Sequence, residues 1–253
     1  YKDEALMPIG SALDDKWGAY CNEITAMIAN IYNSATQEEA EAKYQAVLQH
    51  MVDFMYANMD SVLSLNALTS YINLGGDDAV ASDIFNKIDR RFAVLKSYKS
   101  LKTTIVGAEL IDLALPNAEG EIIRVSDLCK SGKWVLIDFW ATWCGPCRGE
   151  IPYLVEAYAK YAPQGLEIYG VSFDYPGTEA RWREFIAENN MTWINVWGTG
   201  EDGSWRAGEE FNVDGIPANF LYSPEGKLVA RNLRGDNIDI VLTSMVGFSG
   251  LAS

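Results

Sequence analysis

Several things are scarce in this chain, and each scarcity excludes a class of protein. Histidine occurs once, as His50, and cysteine four times, as Cys21, Cys129, Cys144 and Cys147. A structural zinc site wants a second close pair of ligands, and only Cys144 and Cys147 lie close together, so no metal site is expected. Four scattered cysteines in 253 residues do not make a disulfide scaffold either. Basic residues are outnumbered, with 20 Lys and Arg against 35 Asp and Glu for a net charge of −15. The acid excess is shared by both halves, so a basic footprint for a phosphate backbone or an anionic lipid is missing, and no nucleic-acid partner is expected. Long apolar runs are missing too. No stretch approaches the roughly 18 unbroken apolar residues of a membrane helix, so no transmembrane segment is expected in this chain. The 49% hydrophobic fraction is nevertheless that of a globular protein with a core to bury. No basic-then-apolar leader stands at Tyr1, and its absence from this chain says nothing against export.

Chain breakers are scarce only in the first part. No proline occurs between Pro8 and Pro116, and no glycine between Gly18 and Gly75. Apolar residues there recur at three- and four-residue spacing, which predicts helix over 11–101. Val47, Leu48, Met51, Phe54, Met55, Met59, Val62, Leu63 and Leu65 form one such series, and Thr36 with Glu39 reads as a capping box opening it. The Met51, Met55, Met59 stripe reads as core rather than as soft-metal ligands.

Near Lys102–Gly107 the texture changes to short apolar runs punctuated by Gly and Pro. Strands are predicted at 109–115, 121–125, 134–140, 166–173, 193–197, 218–222 and 227–233, and helices at 146–161, 178–189, 204–211 and 236–246. Strands alternating with helices imply an α/β layer fold. Ser223-Pro224-Glu225-Gly226 is a tight-turn sequence, so the last two strands should be antiparallel. The expected organisation is a helical domain over 1–102 and an α/β domain over 103–253.

The chemistry is concentrated in WVLIDFWATWCGPCRGEIP, from Trp134 to Pro152. A buried-type strand leads into Cys144-Gly145-Pro146-Cys147, and a helix follows. Pro146 suits the first helical turn, where its missing N–H costs nothing. Cys144 then stands at the helix N-terminus, where the macrodipole and free N–H groups favour a thiolate. Cys147 lies a turn further in, shielded and able to attack a mixed disulfide formed at Cys144. As a staple the pair is poor, since closing so short a loop contributes only about 2 kcal/mol. As a redox switch it is good.

Cys144-Gly145-Pro146-Cys147 between Trp143 and a helix, after a strand ending Asp138-Phe139-Trp140, resembles thioredoxin. The continuation to Glu150 and Pro152 resembles more specifically the TlpA/ResA-like extracytoplasmic thioredoxins. Val106-Gly107, Ser126-Asp127-Leu128, Gly170-Val171-Ser172-Phe173-Asp174, Ile216-Pro217 and Gly226-Lys227 fit the same pattern, over about residues 105–247. Residues 1–100 resemble the helical stretch preceding this domain in Bacteroidetes-type members. The resemblance implies a thioredoxin-like fold, a mixed sheet flanked by helices.

Asp138 stands alone in an apolar strand, and burying a carboxylate is costly unless it is protonated or partnered. A raised pKa would suit a proton acceptor for Cys147, the role the resemblance assigns to this position; the plainer alternative is a strand-end Asp paired with Arg148. Glu150, three residues after Cys147, reads by itself as a first-turn acid answering the helix dipole. The resemblance gives it a functional place beside the active site, which leaves two candidate acids. Ile216-Pro217 resembles the cis-proline loop that faces the cysteines and presents backbone to an extended substrate strand. Trp143 and Ile216 would make the rim apolar. Pro152 should kink its helix. Cys21 and Cys129 read as small buried hydrophobes rather than as resolving thiols, and His50 as a surface or otherwise satisfied residue.

The expected activity is thiol–disulfide exchange with disulfide-containing or dithiol proteins, in the reducing direction, without a cofactor and fed by an upstream dithiol donor. The expected setting is the periplasm or another extracytoplasmic space. A peroxidase of the alkyl-hydroperoxide-reductase type shares the fold, but its pattern needs Pro seven and Thr three residues before the reactive cysteine. Here those positions hold Ile137 and Ala141. A CxxC metal-binding or scaffold module is the alternative from another class.

Overall fold

Four short polar side chains open the first four helices of the computed structural model, which describes residues 11–246 except 212 and 214. Ser11, Thr36, Ser61 and Asp77 each accept a backbone N–H in the first turn of α1 (Ala12–Ile31), α2 (Gln37–Tyr56), α3 (Val62–Asn73) and α4 (Asp78–Lys87). A 3₁₀ turn at Arg90–Val94 leads to α5 (Lys96–Thr104). The reciprocal bond of the expected capping box is displaced by one residue. Thr36 Oγ1 takes the Glu39 N–H at 3.1 Å, but Glu39 returns to the Ala35 N–H at 2.9 Å.

The apolar series from Val47 to Leu65 is two helices rather than one. Asn58 turns its side chain back onto the Phe54 carbonyl at 2.7 Å, and Ser61 starts a fresh helix, so Met59 falls between the two. Both helices still point their apolar stripes into one core, where Met51, Met55, Leu63, Leu65 and Leu68 are fully buried. Each such side chain contributes roughly 1.5–3 kcal/mol by leaving water, and Met51 and Met55 serve as core.

This helical unit ends at Ile105 and a second unit begins at Val106. In the second, β1 (Ala114–Pro116) and β2 (Ile122–Arg124) form a small hairpin. After α6 (Val125–Lys130) comes β3 (Trp134–Trp140), then α7 (Gly145–Tyr161), β4 (Leu166–Ser172), α8 (Glu179–Glu188), β5 (Ile194–Trp197), α9 (Arg206–Glu210), β6 (Ala218–Tyr222), β7 (Leu228–Arg231) and α10 (Asn237–Val246). The sheet order is β5-β4-β3-β6-β7. β3 runs parallel to β4 and antiparallel to β6, and β6 and β7 are antiparallel. This is the α/β architecture that the alternation of strands and helices implied.

As the central strand, β3 is covered on both faces, and from Val135 to Trp140 every residue is buried. That is why it reads as an unbroken apolar run rather than an alternation. α7 lies on one face through Cys147, Ile151, Leu154, Ala157 and Tyr161, and continues past Pro152 to Tyr161. Gly165, in the left-handed region at φ 101°, turns the chain into β4.

Three local expectations need correction. The strand expected at 109–115 shrinks to β1, because residues 107–110 spend their amides on the β7 hairpin: Gly107 N–H on the Leu228 carbonyl, Leu110 N–H on Gly226. The last strand stops at Arg231, where the chain turns toward α10. α6 has six residues, too few to show a helical period, and was not expected as a helix.

Candidate active site

β3 delivers the chain to the site and α7 carries it away. Between them, Cys144 N–H bonds the Ala141 carbonyl at 3.1 Å, and Cys144 becomes the N-cap of α7, its Sγ taking the Cys147 N–H at 3.2 Å. Pro146 sits in the first turn, as its missing donor allows. Gly145 and Pro146 are exposed, and nothing crowds the Gly145 α-carbon. Cys144 and Cys147 are joined by a disulfide, with Cα atoms 5.3 Å apart. Burial does not distinguish them, since Cys144 is 4% exposed and Cys147 3%. Cys147 was expected to be shielded; Cys144 proves equally covered. What separates them is position, because only Cys144 stands at the helix end, where the dipole favours a thiolate.

The turn is held from below by Asp174, at 2% exposure. Its carboxylate accepts the Thr142 N–H at 3.1 Å, the Thr142 hydroxyl at 2.5 Å and the Ser172 hydroxyl at 2.8 Å. Asp174 follows the end of β4, so the strand beside β3 pins the loop that presents Cys144.

Facing Cys144 is the Ile216–Pro217 segment, whose peptide bond is cis. The Ile216 carbonyl oxygen lies 3.7 Å from Cys144 Sγ, and Ile216 and Pro217 are half-buried. Trp143, 46% exposed, stacks on Tyr175 at 5.8 Å and on Trp205 at 6.2 Å between ring centroids. Trp205 in turn lies flat on Phe173 at 4.8 Å. The apolar rim expected of Trp143 and Ile216 is therefore a wider aromatic ledge.

Asp138 is not at a fraying strand end. It lies within β3, paired in register with Gly170 of β4 and Asn219 of β6, and is 5% exposed. Burial pushes its carboxyl up to about 7; the Arg234 charge and a hydrogen bond from Asn219 pull it down, and the Glu150 charge pushes it further up. Its cationic neighbour is thus Arg234 and not Arg148, whose guanidinium sits over the Phe185 ring. Glu150 accepts the Gly235 N–H at 2.8 Å. Arg234 donates to the carbonyls of Pro217 and Leu233.

The structure thus gathers Cys144, Cys147, Ile216 and Trp143 at the N-terminal end of α7, and links Asp138 of β3 electrostatically to Glu150 of the same helix. Sequence reasoning missed Asn219 and Arg234, and quoted Asp174 within the family pattern without giving it a role. Asn219 had a signal, being the one polar residue in Ala-Asn-Phe-Leu-Tyr. Arg234, in a turn rich in polar residues, had none. The other thiols stand apart: Cys129 is buried in α6, which pushes its thiol up to about 11. Cys21 is half-buried on α1 and also raised by burial. His50 meets Glu23 at 3.1 Å on the helical unit.

Comparison with known proteins agrees with this geometry. The model of the AhpC/TSA family matches residues 106–231. The thiol–disulfide oxidoreductase ResA of Oceanobacillus iheyensis is 32% identical over 142 residues, covering 54% of this chain and 70% of that protein. Among solved structures, the thioredoxin domain of a thiol–disulfide oxidoreductase from Bacteroides vulgatus is 33% identical with a TM-score of 0.51, covering 56% of this chain and 97% of that one. A thiol:disulfide interchange protein from Bacteroides sp. is 32% identical with a TM-score of 0.52, covering 57% of this chain and 92% of that one.

Proposed function

This chain belongs to the thioredoxin-like thiol–disulfide oxidoreductases, and on that premise we propose that it reduces disulfides in protein substrates of an extracytoplasmic space. The observation that carries the proposal is Cys144 at the N-terminus of α7, bonded to Cys147 and facing the Ile216 carbonyl. In the reduced protein the Cys144 thiolate attacks one sulfur of the substrate disulfide. The substrate S–S bond breaks, a mixed disulfide forms, and the departing substrate sulfur takes up a proton. Cys147 then gives its proton to a nearby carboxylate and attacks Cys144 Sγ. This releases the second substrate thiol and leaves the Cys144–Cys147 disulfide. Two electrons have passed to the substrate, and an upstream dithiol protein restores the pair.

Of the two acids, Asp138 suits the proton step better. Its carboxyl lies at about 7 because it is buried, so it exchanges a proton near neutral pH. Glu150 is engaged with the Gly235 N–H and acts through its charge on Asp138. Trp143, Ile216 and Pro217 form the docking rim. An extended substrate strand would lie along the Ile216 backbone, with an apolar side chain on the Trp143–Tyr175–Trp205 ledge. Against the peroxidase alternative, Ile137 and Ala141 are buried apolar residues where its pattern needs Pro and Thr, and the Thr142 hydroxyl is spent on Asp174.

Trapping tests the assignment. Cys147→Ala should accumulate partner proteins disulfide-linked to Cys144, released by dithiothreitol, with turnover abolished. Adducts on Cys129 or Cys21 instead would overturn it. An equilibrium potential near about −120 mV, that of strong oxidants, would reverse the proposed direction.

A further inference from the structure

We propose that Arg234 is a positioning residue of the redox site, one guanidinium that bonds the carbonyl of Pro217, next in the chain to the Ile216 carbonyl facing Cys144, and acts by its charge on the buried carboxyl of Asp138. The turn between β7 and α10 is built around it. Leu233 is held by Asn219 through both backbone groups, its N–H on Oδ1 at 2.8 Å and its carbonyl receiving Nδ2 at 2.9 Å. Gly235 N–H is held by Glu150 Oε2 at 2.8 Å. Residues 233 and 235 are thus tied to β6 and α7 without the Arg234 side chain. That side chain, half-buried between them, adds one bond to the Leu233 carbonyl and reaches out of the turn to Pro217.

Its hydrogen bonds to the Leu233 and Pro217 carbonyls put one of them next to the Ile216 carbonyl that faces Cys144. A planar fork suits two carbonyl acceptors at once, which a single ammonium does not. Its charge also acts on Asp138. The groups acting on Asp138 are Arg234 from the turn, Glu150 from α7 and, uncharged, Asn219 from β6. Gly170 of β4, paired with Asp138, adds no side chain. Arg234 is therefore the cation that opposes both burial and Glu150. The same group braces the docking backbone and limits how far the acid's affinity for protons rises.

The KM consequence rests on the reading of Ile216-Pro217 as the docking backbone; the electrostatic one on Asp138 does not. The test uses the full chain with Arg234→Gln and Arg234→Lys. Asp138 is followed by its carboxyl carbon resonance in the oxidised protein, and KM by a cysteine-containing peptide disulfide. Arg234→Gln should move the Asp138 midpoint upward by about one pH unit, because an opposing charge nearby is lost. Arg234→Lys should keep the midpoint near that of the unaltered protein, yet both variants should raise KM several-fold, since neither supplies the fork. An unmoved midpoint in folded Arg234→Gln, or an unchanged KM in Arg234→Lys, overturns the proposal. The relay reading is tested separately. If Asp138→Asn releases the mixed disulfide at the unaltered rate, that reading fails while the midpoint result for Arg234 stands.

Discussion

A carboxyl in the middle of a covered strand lowers stability before it does any chemistry. Asp138 is 5% exposed, and burial holds its carboxyl at about 7 despite Arg234 and Asn219. The unfolded chain releases the same proton at about 4. Between those values the folded state binds more protons than the unfolded one, so stability falls as pH rises from about 4 to about 7 and then levels off. Asp138→Asn should remove this penalty. Urea unfolding of the oxidised protein should show a gain of about 4 kcal/mol at pH 8 and almost none at pH 3. A gain of equal size at both pH values would mean that ionisation of Asp138 is not its source. Cys129 illustrates the opposite outcome of burial: with its thiol at about 11, it stays protonated and inert at neutral pH.

At the scale of elements, the site depends on the junction of β3, α7 and the end of β4. Asp174 makes that junction, taking both donors of Thr142 and the Ser172 hydroxyl. Asp174→Ala leaves those buried donors without an acceptor, at a cost of about 1–3 kcal/mol. We expect a lower melting temperature and, because the loop presenting Cys144 loosens, slower alkylation-competent exchange at Cys144. Asp174→Asn, which keeps one acceptor oxygen, should lose less on both measures. A drop in melting temperature with unaltered Cys144 kinetics would confine Asp174 to stability.

For the whole molecule, the division between Ile105 and Val106 separates the helical unit from the one that holds every proposed site residue. The family match likewise begins at residue 106. We expect a chain beginning near residue 103 to fold and to reduce a small disulfide at close to the rate of the full protein. It should lose discrimination among protein partners, which we assign to the helical unit. Circular dichroism and turnover of a small aromatic disulfide check the first statement, and trapping with Cys147→Ala in both lengths checks the second. A folded but inactive short chain would place part of the active site in the helices.

Much of this was legible because it is local. The strand, Cys144-Gly145-Pro146-Cys147 and the following helix lie within one stretch of sequence, where strand run, N1 proline and helix dipole act over a few residues. Asp138 was legible as a lone charge in an apolar run, and the helical character of 11–101 followed from its missing breakers. The break at Met59 was not, because apolar spacing continued across it while Asn58 and Ser61 ended one helix and began another. Nor were the partners of Asp138. Arg148 is nearer in sequence, yet the fold brings up Arg234, because β6 and β7 carry the turn after them to the end of α7. The sequence alone therefore determined where the redox pair sits and which fold presents it. Only the tertiary structure decided which charges surround the buried acid, because those interactions join strands and turns far apart in the chain, where spacing carries no information.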